Sequence, residues 1–375
     1  MDFKLVLAPD SFKDSISAEM ICHILEEMIL KKYPYLKVDA IPLSDGGEGF
    51  VTSLKESLNL NIVEKSVTGP LGNKINAKYG ITNNTAYIEM AQSSGLQYLT
   101  DDERNPLNTT TYGLGELIKD AIDRGVKTFV LGIGGSATCE GGAGMAQALG
   151  ARFFDQHGKL LAQPITNRIL SKCTTVDISE LKNNIAGCEF KVACDVTNPL
   201  LGKNGAVYIY GPQKGAGVEE LPILEANIAK LHKIFISELG KNVAEISGAG
   251  AAGGLGAGLI AFLNARLKSG SKYILNILEF EKRIQTANAI ITGEGKIDNQ
   301  TINGKIISEI INKAEKIGCP VYAICGINEL FEQNYLKEIV SLVSFADRKS
   351  AINEPEEYIK LAGQKLIDKI LEDQL

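Results

Sequence analysis

Leu5-Val6-Leu7-Ala8-Pro9-Asp10-Ser11 is an apolar run that stops at a carboxylate and a hydroxyl. Four other stretches share this form: Ala40-Ile41-Pro42-Leu43-Ser44-Asp45-Gly46-Gly47-Glu48-Gly49, Lys191-Val192-Ala193-Cys194-Asp195, Ala289-Ile290-Ile291-Thr292-Gly293-Glu294-Gly295 and Val343-Ser344-Phe345-Ala346-Asp347. Short runs of this kind read as buried parallel strands. In open α/β sheets the carboxyl ends of such strands line the ligand crevice. Acids repeated at that position, beside glycine-rich turns, point to a site for phosphate, metal or sugar-like hydroxyls.

Outward from the first run, the pattern predicts a strand over 3–8, a helix over 18–32 with Ser17 as its N-cap, a strand over 38–42 and a helix over 49–58. This βαβα start implies a parallel sheet. Between Ile62 and Glu89, apolar and polar residues alternate around Gly-Pro and Asn-Asn turns, which predicts antiparallel strands and a different domain. Helices are expected over 111–124, 145–149, 221–239 and 259–268, and strands over 128–131, 151–155 and 190–194. The C-terminal part alternates again: helix near 277–286, strand 289–292, helix 306–317, strand 321–325, a helix near Asn334, strand 342–345 and helix 356–371. The expected fold is α/β with two domains. Residues 1–64 and 287–375 form a discontinuous Rossmann/flavodoxin-like parallel-sheet domain, and residues 65–286 an inserted mixed α/β domain.

Composition narrows the function. Of the 375 residues, 45% are hydrophobic, enough for a proper core, and the net charge is −6 without a basic stripe interleaved with aromatics. That argues against a nucleic-acid partner. Seven widely spaced cysteines, an odd number, read as reduced thiols. Three scattered histidines make a histidine-based zinc site improbable. The chain shows no charged-then-apolar leader. The uncharged stretch 246–265 carries six glycines, too many for a membrane span. A soluble, cytoplasmic protein is expected.

Gly132-Ile133-Gly134-Gly135-Ser136-Ala137-Thr138 follows a strand, and Asp155 ends the next strand 23 positions after Gly132. This approaches the dinucleotide-binding fingerprint. A second cluster, Gly141-Gly142-Ala143-Gly144, lengthens the loop and with Ser136 and Thr138 suits a phosphate cradle; a tight structural turn is the plainer alternative. Gly248-Ala249-Gly250-Ala251-Ala252-Gly253 matches the same letters, but close packing explains it as well as a ligand does. Gly293-Glu294-Gly295-Lys296-Ile297-Asp298 places two carboxylates where Mg²⁺ and phosphates are commonly held. Asp10-Ser11-Phe12-Lys13, Asp195-Val196-Thr197-Asn198-Pro199 and Gly211-Pro212-Gln213-Lys214-Gly215 add carboxylates, a hydroxyl and two lysines. No P-loop and no protein-kinase motif set occurs.

Taken together, Ala8 to Ser15, Pro42 to Gly49, Arg104-Asn105-Pro106 with Thr109 to Gly113, Gly132 to Gly150, Ala193 to Pro199, Gly211 to Ala216, Gly248 to Gly254 and Thr292 to Gly304 resemble the bacterial-type glycerate kinase family in order and spacing. One departure stands out. Thr138-Cys139-Glu140-Gly141-Gly142 replaces the usual Thr-Asn-Asp-Gly-Gly, so the acid is a methylene longer and a thiol replaces an amide. The resemblance implies phosphorylation of D-glycerate by ATP with Mg²⁺ in a cleft between two domains, with 2-phosphoglycerate favoured as product. On that reading Asp195 is the catalytic base and Lys13 stabilises the transferring phosphoryl group. Asp10, Ser11, Asp45, Gly46, Gly47, Arg104 and Lys214 bind substrate, and Gly134, Gly135, Ser136 and Thr138 bind the nucleotide. Glu294 and Asp298 hold the metal. Neither a nucleic acid nor a membrane is an expected partner. The competing readings are a nicotinamide-dependent dehydrogenase of a small hydroxy acid, resting on Gly132 to Asp155, and a non-catalytic organic-acid binding protein.

Overall fold

The structure, a computed structural model, describes residues 3–12, 15–44, 46–47, 49–302, 306–330 and 335–374. In chain order its strands are β1 (Lys4–Pro9), β2 (Lys37–Ala40), β3 (Asn61–Thr68), β4 (Lys74–Thr82), β5 (Thr85–Glu89), β6 (Thr128–Gly132), β7 (Arg152–Phe154), β8 (Thr175–Asp177), β9 (Glu189–Ala193), β10 (Arg266–Lys268), β11 (Ala289–Ile297), β12 (Val321–Asn328) and β13 (Ile339–Ser341). The chain divides into two compact units. One comprises residues 1–45, 52–58 and 271–375, the other residues 46–51 and 59–270.

The first unit holds a parallel sheet in the order β13-β12-β11-β1-β2. Counted along the chain within the unit, this is 2-1-3-4-5, the flavodoxin-like order. Leu5, Val6, Leu7 and Ala8 are fully buried, as a strand covered on both faces requires, whereas edge strand β2 exposes Lys37. The helix Ala18–Lys32 starts where Ser17 Oγ accepts the Met20 N–H at 3.3 Å. Ile21, Leu25 and Ile29 recur at helical spacing and pack into one core with Leu5, Leu7, Ile291 and Ile324. Ile359, Leu366 and Ile370 of the helix Pro355–Gln374 complete that core. Each fully buried side chain of this size contributes about 1.5–3 kcal/mol.

Several features of this unit differ from the sequence-based expectation or lie beyond it, among them the helix expected near 277–286, which is two helices, Gly270–Ile277 and Phe280–Ile284. The last strand is Ile339–Ser341, and the apolar residues expected to form it turn instead into a 3₁₀ segment, Leu342–Ser344. Asp347 therefore ends no strand; its carboxylate accepts the N–H groups of Lys349 (2.9 Å) and Ser350 (3.2 Å) and caps the helix Arg348–Asn353. Burying Leu342 required only one inward-facing position, which a turn supplies as well as a strand. β11 runs five residues past Thr292, so Glu294 lies within it. The helix expected near Asn334 falls outside the described residues.

The second unit carries a six-stranded sheet, β10-β9-β6-β5-β4-β3. β3, β4 and β5 are antiparallel, while β5, β6, β9 and β10 are parallel. β7 and β8 form a separate antiparallel pair. The helix Tyr112–Asp123 buries Leu114, Leu117 and Ile118 against this unit's core. A helix expected over 259–268 instead spans Ala251–Leu263 and ends at Asn264 in the left-handed region, which frees Arg266–Lys268 to join the sheet as β10. Within that helix Ala252, Gly253 and Gly254 have φ of 53°, 67° and 85°, making a kink. A Cβ on Gly253 would lie 1.9 Å from the Thr138 carbonyl oxygen, so close packing accounts for this glycine cluster.

Gly253→Ala combines a left-handed φ with a backbone clash and should destabilise by well over about 2 kcal/mol. Gly125 also has positive φ (90°), but a methyl there would meet nothing within 4 Å. Gly125→Ala should therefore cost only about 1–2 kcal/mol. Urea unfolding midpoints at unchanged m-value distinguish the two.

Candidate functional site

In the first unit the strand order reverses between β1 and β11, whose register ends at Pro9 opposite Gly293. A cavity of about 240 Å³ opens at this point, at the carboxyl ends of β1, β11 and β12. Asp10, Ser11 and Phe12 line one side, Glu294, Gly295 and Lys296 another. Asp10 follows the strand directly, with its own N–H bonded to the Gly293 carbonyl at 2.8 Å and its Oδ1 accepting the Ser11 N–H at 2.7 Å. Glu294 is buried and accepts the Thr301 hydroxyl proton. The Asp298 N–H donates to the same hydroxyl oxygen at 3.1 Å, and Asp298 Oδ2 lies 3.4 Å from Lys296 Nζ. The Thr301 N–H in turn reaches Asp298 Oδ1 at 3.4 Å, so Thr301 contacts both expected metal-binding residues. No group of three metal-ligating side chains occurs among the described residues. A pair fits Mg²⁺ nevertheless, because that ion is usually held by one or two carboxylates with substrate phosphates and water.

In the second unit the Gly134 to Thr138 loop leaves the carboxyl end of β6 and is pinned on every side. Gly134 N–H donates to the Gly46 carbonyl (3.2 Å), Leu96 N–H to Gly135 (3.0 Å), Ala137 N–H to Ser94 (2.9 Å) and Thr109 Oγ1 to Ala137 (2.9 Å). Lys214 is 1% exposed and donates to Ser136 Oγ at 2.6 Å and to the Thr138 carbonyl at 2.7 Å. Burial pulls its ammonium pKa below the ordinary lysine value. Two residues assigned to different ligands by sequence, Lys214 and Ser136, therefore touch. The left-handed Gly215 presses on the backbone of Arg104, bringing that arginine alongside. Arg104 pairs with Asp101 at 3.0 Å, while its Nε and Thr138 Oγ1 are buried without a hydrogen-bond partner among the described residues.

Glu140 lies at the far end of this loop, fully buried. Its carboxylate accepts the Thr111 N–H (2.7 Å), the Thr111 hydroxyl and the Ala143 N–H (2.6 Å), and Thr111 Oγ1 accepts the Met145 N–H at 2.9 Å. Burial pushes its pKa up, against the pull of these donors. The longer acid in this chain thus reaches both Thr111 and the start of the helix Ala143–Ala148. Neighbouring Cys139 is buried, and its thiol is pushed up for the same reason.

Asp195 lies two residues beyond β9, its Oδ1 accepting the Ser269 hydroxyl at 2.9 Å. Gly46 and Gly47 belong to this second unit. A Cβ on Gly132 would lie 2.6 Å from the Gly46 carbonyl oxygen, and one on Gly134 2.5 Å from Gly47 Cα. Those glycines make room for the Gly46–Gly47 turn. Asp155 accepts the N–H groups of His157 and Lys159, both at 2.9 Å, in an exposed turn of the separate β7–β8 pair. Strand β6 has β5 and β9 as neighbours, so the dinucleotide fingerprint dissolves and the dehydrogenase reading gains no support. Lys13 and Asp45 lie outside the described residues. Sequence reasoning passed over Glu89, which is 1% exposed and ends β5 in register with Gly132. Ala86-Tyr87-Ile88-Glu89 shows the same apolar-run-then-acid signal, masked by the alternating pattern around it.

The first unit thus offers two acidic residues at a strand-order reversal, and the second a hydroxyl-bearing loop held by a buried lysine, groups of the kind that phosphoryl transfer uses. The sequence profile of the glycerate kinase family matches residues 5–371. The glycerate kinase of Halalkalibacterium halodurans is 42% identical over 93% of this chain and 92% of its own. The glycerate 2-kinase of Escherichia coli is 43% identical over 86% and 85%. A crystal structure assigned to glycerate kinase 2 of Salmonella typhimurium LT2 superposes with a TM-score of 0.83 at 39% identity, covering 100% of both chains. This chain belongs to the glycerate kinase family.

Thr111→Val would take one donor from the buried Glu140 carboxylate and leave the Met145 N–H without its hydroxyl acceptor. A loss of about 1–3 kcal/mol is expected, read as a lower urea midpoint; an unchanged midpoint would show that this hydroxyl contributes nothing to the network.

Proposed function

We propose that this protein phosphorylates D-glycerate with ATP, requires Mg²⁺ and forms 2-phosphoglycerate in preference to the 3-isomer. The observation that carries this reading is the family match along nearly the whole chain, which includes every stretch named above. The two compact units are taken as the two domains expected from the sequence, each contributing groups to the reaction.

Phosphoryl transfer asks a protein mainly for in-line positioning and for neutralisation of the transferring oxygens. Asp195, at a strand end and held by Ser269, accepts the proton of the glycerate hydroxyl as its oxygen bonds to the γ-phosphorus and ADP departs. Arg104 pairs the glycerate carboxylate, for which a guanidinium fork is suited. Gly134, Gly135, Ser136 and Thr138 serve the nucleotide phosphates. Asp10, Ser11 and Lys13 act at the substrate or γ-phosphate, with Asp45 and the Gly46–Gly47 backbone beside the substrate. Glu294 and Asp298 would hold Mg²⁺, which when bound supplies charge neutralisation to the phosphates. Seven widely spaced cysteines, an odd number, favour a reducing, cytoplasmic setting. No helix among the described residues is long and apolar enough to cross a membrane.

The decisive measurement is ADP release that depends on D-glycerate, with enolase added to consume 2-phosphoglycerate directly. ADP formed without glycerate, or none at all, would end this proposal. Asp195→Asn should lower kcat by roughly 10²- to 10⁴-fold, the usual contribution of a general base; near-normal turnover would remove Asp195 from that role.

A further inference from the structure

Lys214, expected from its motif to bind substrate, is enclosed within the second unit in a way that a ligand of glycerate would not be. The turn that carries it is closed by its own main chain. Lys214 N–H donates to the Gly211 carbonyl at 3.0 Å, Gly215 N–H to Pro212 at 3.0 Å and Ala216 N–H to Gly211 at 3.1 Å. From this fixed base the side chain runs inward, is 1% exposed, and ends on Ser136 Oγ and the Thr138 carbonyl. An ammonium so buried leaves a diffusing substrate almost no surface to touch. The loop it holds does meet solvent, because Gly135 is exposed beside Ser136. The direction of the hydrogen bonds matters as well. An ammonium has only donors, so Ser136 Oγ accepts, and its single hydroxyl proton is left for another acceptor. Both acceptors of Lys214 are neutral, so no contact cancels its charge; Cys139 and Glu140, farther along the same loop, are the titratable groups that act on it. A hydroxyl proton offered from a loop backed by positive charge suits an anion whose oxygens only accept, as those of a nucleotide phosphate do.

We propose that Lys214 is a positioning residue for the phosphoryl donor and not a ligand of glycerate: it fixes Ser136 with its hydroxyl proton available to the nucleotide phosphates and sets a positive charge behind the loop. The inference rests on ATP being the donor and on this loop taking its phosphates, as proposed above. Lys214→Met keeps an unbranched stem but removes the charge and both hydrogen bonds. Its KM for ATP should rise about tenfold or more, the scale of losing hydrogen bonds to a charged group, while the KM for D-glycerate moves less than about threefold. Ser136→Ala should give the same split. Because the lysine acts through the serine, combining Lys214→Met with Ser136→Ala should raise the KM for ATP no more than about threefold beyond the more impaired single variant, whereas independent roles would multiply.

A raised KM for D-glycerate in place of that for ATP, an unchanged KM for ATP in Lys214→Met, or multiplied effects in the double variant would overturn the assignment. If Lys214→Met fails to fold, Lys214→Gln, which keeps an N–H donor without the charge, carries the same comparison of the two KM values. Glycerate-dependent ADP release in the unmodified protein decides separately whether ATP is the donor. This inference can therefore fail while the proposed function stands.

Discussion

The pairing of β1 with β11 is the interaction on which the first unit depends. Leu5 to Pro9 lie in register with Ala289 to Gly293, joining the two ends of the chain in one sheet. Because β2 flanks β1 on the other side, the order of strands reverses there. Helices Ala18–Lys32 and Pro355–Gln374 meet over one face because their apolar stripes have no other surface to bury against. The crevice follows from that topology. Successive crossovers leave in opposite directions from the reversal, so the carboxyl ends of β1 and β11 remain uncovered and present Asp10 and the Glu294 segment.

The second unit secures its loop differently. Main-chain groups of Gly134, Gly135, Ala137 and Thr138 are tied to neighbours, and an ammonium is buried to hold Ser136 and the Thr138 carbonyl. Burying lysine is costly unless its protons find acceptors, and here two short hydrogen bonds supply them. Glu140 repeats the device with opposite charge, its oxygens meeting backbone and hydroxyl donors. A rigid loop suits phosphate binding because its dipoles are set before the ligand arrives.

Much of this was readable in the residues. Helix Ala18–Lys32 and its Ser17 cap follow from apolar spacing and a local hydroxyl, both short-range properties. The parallel and antiparallel textures of the two units were visible for the same reason. Misreadings arose where a short pattern had two physical solutions. Leu342 could be buried by a strand or a turn, and Asp347 could end the one or cap the helix after it. Gly132 and Gly134 fit a dinucleotide turn by letter, yet their missing side chains accommodate another stretch of backbone.

Alternating apolar residues, caps and turn-forming glycines determined the α/β class, the discontinuous sheet and the kinds of chemical group gathered at strand ends. These are local signals, written wherever burial or backbone geometry demands a residue type. Tertiary structure alone decided which groups became neighbours: Lys214 with Ser136, Thr301 between Glu294 and Asp298, and Glu89 beside Gly132. Such contacts join residues distant along the chain or turned together by a loop, and only the packing of sheet and helices sets their distances.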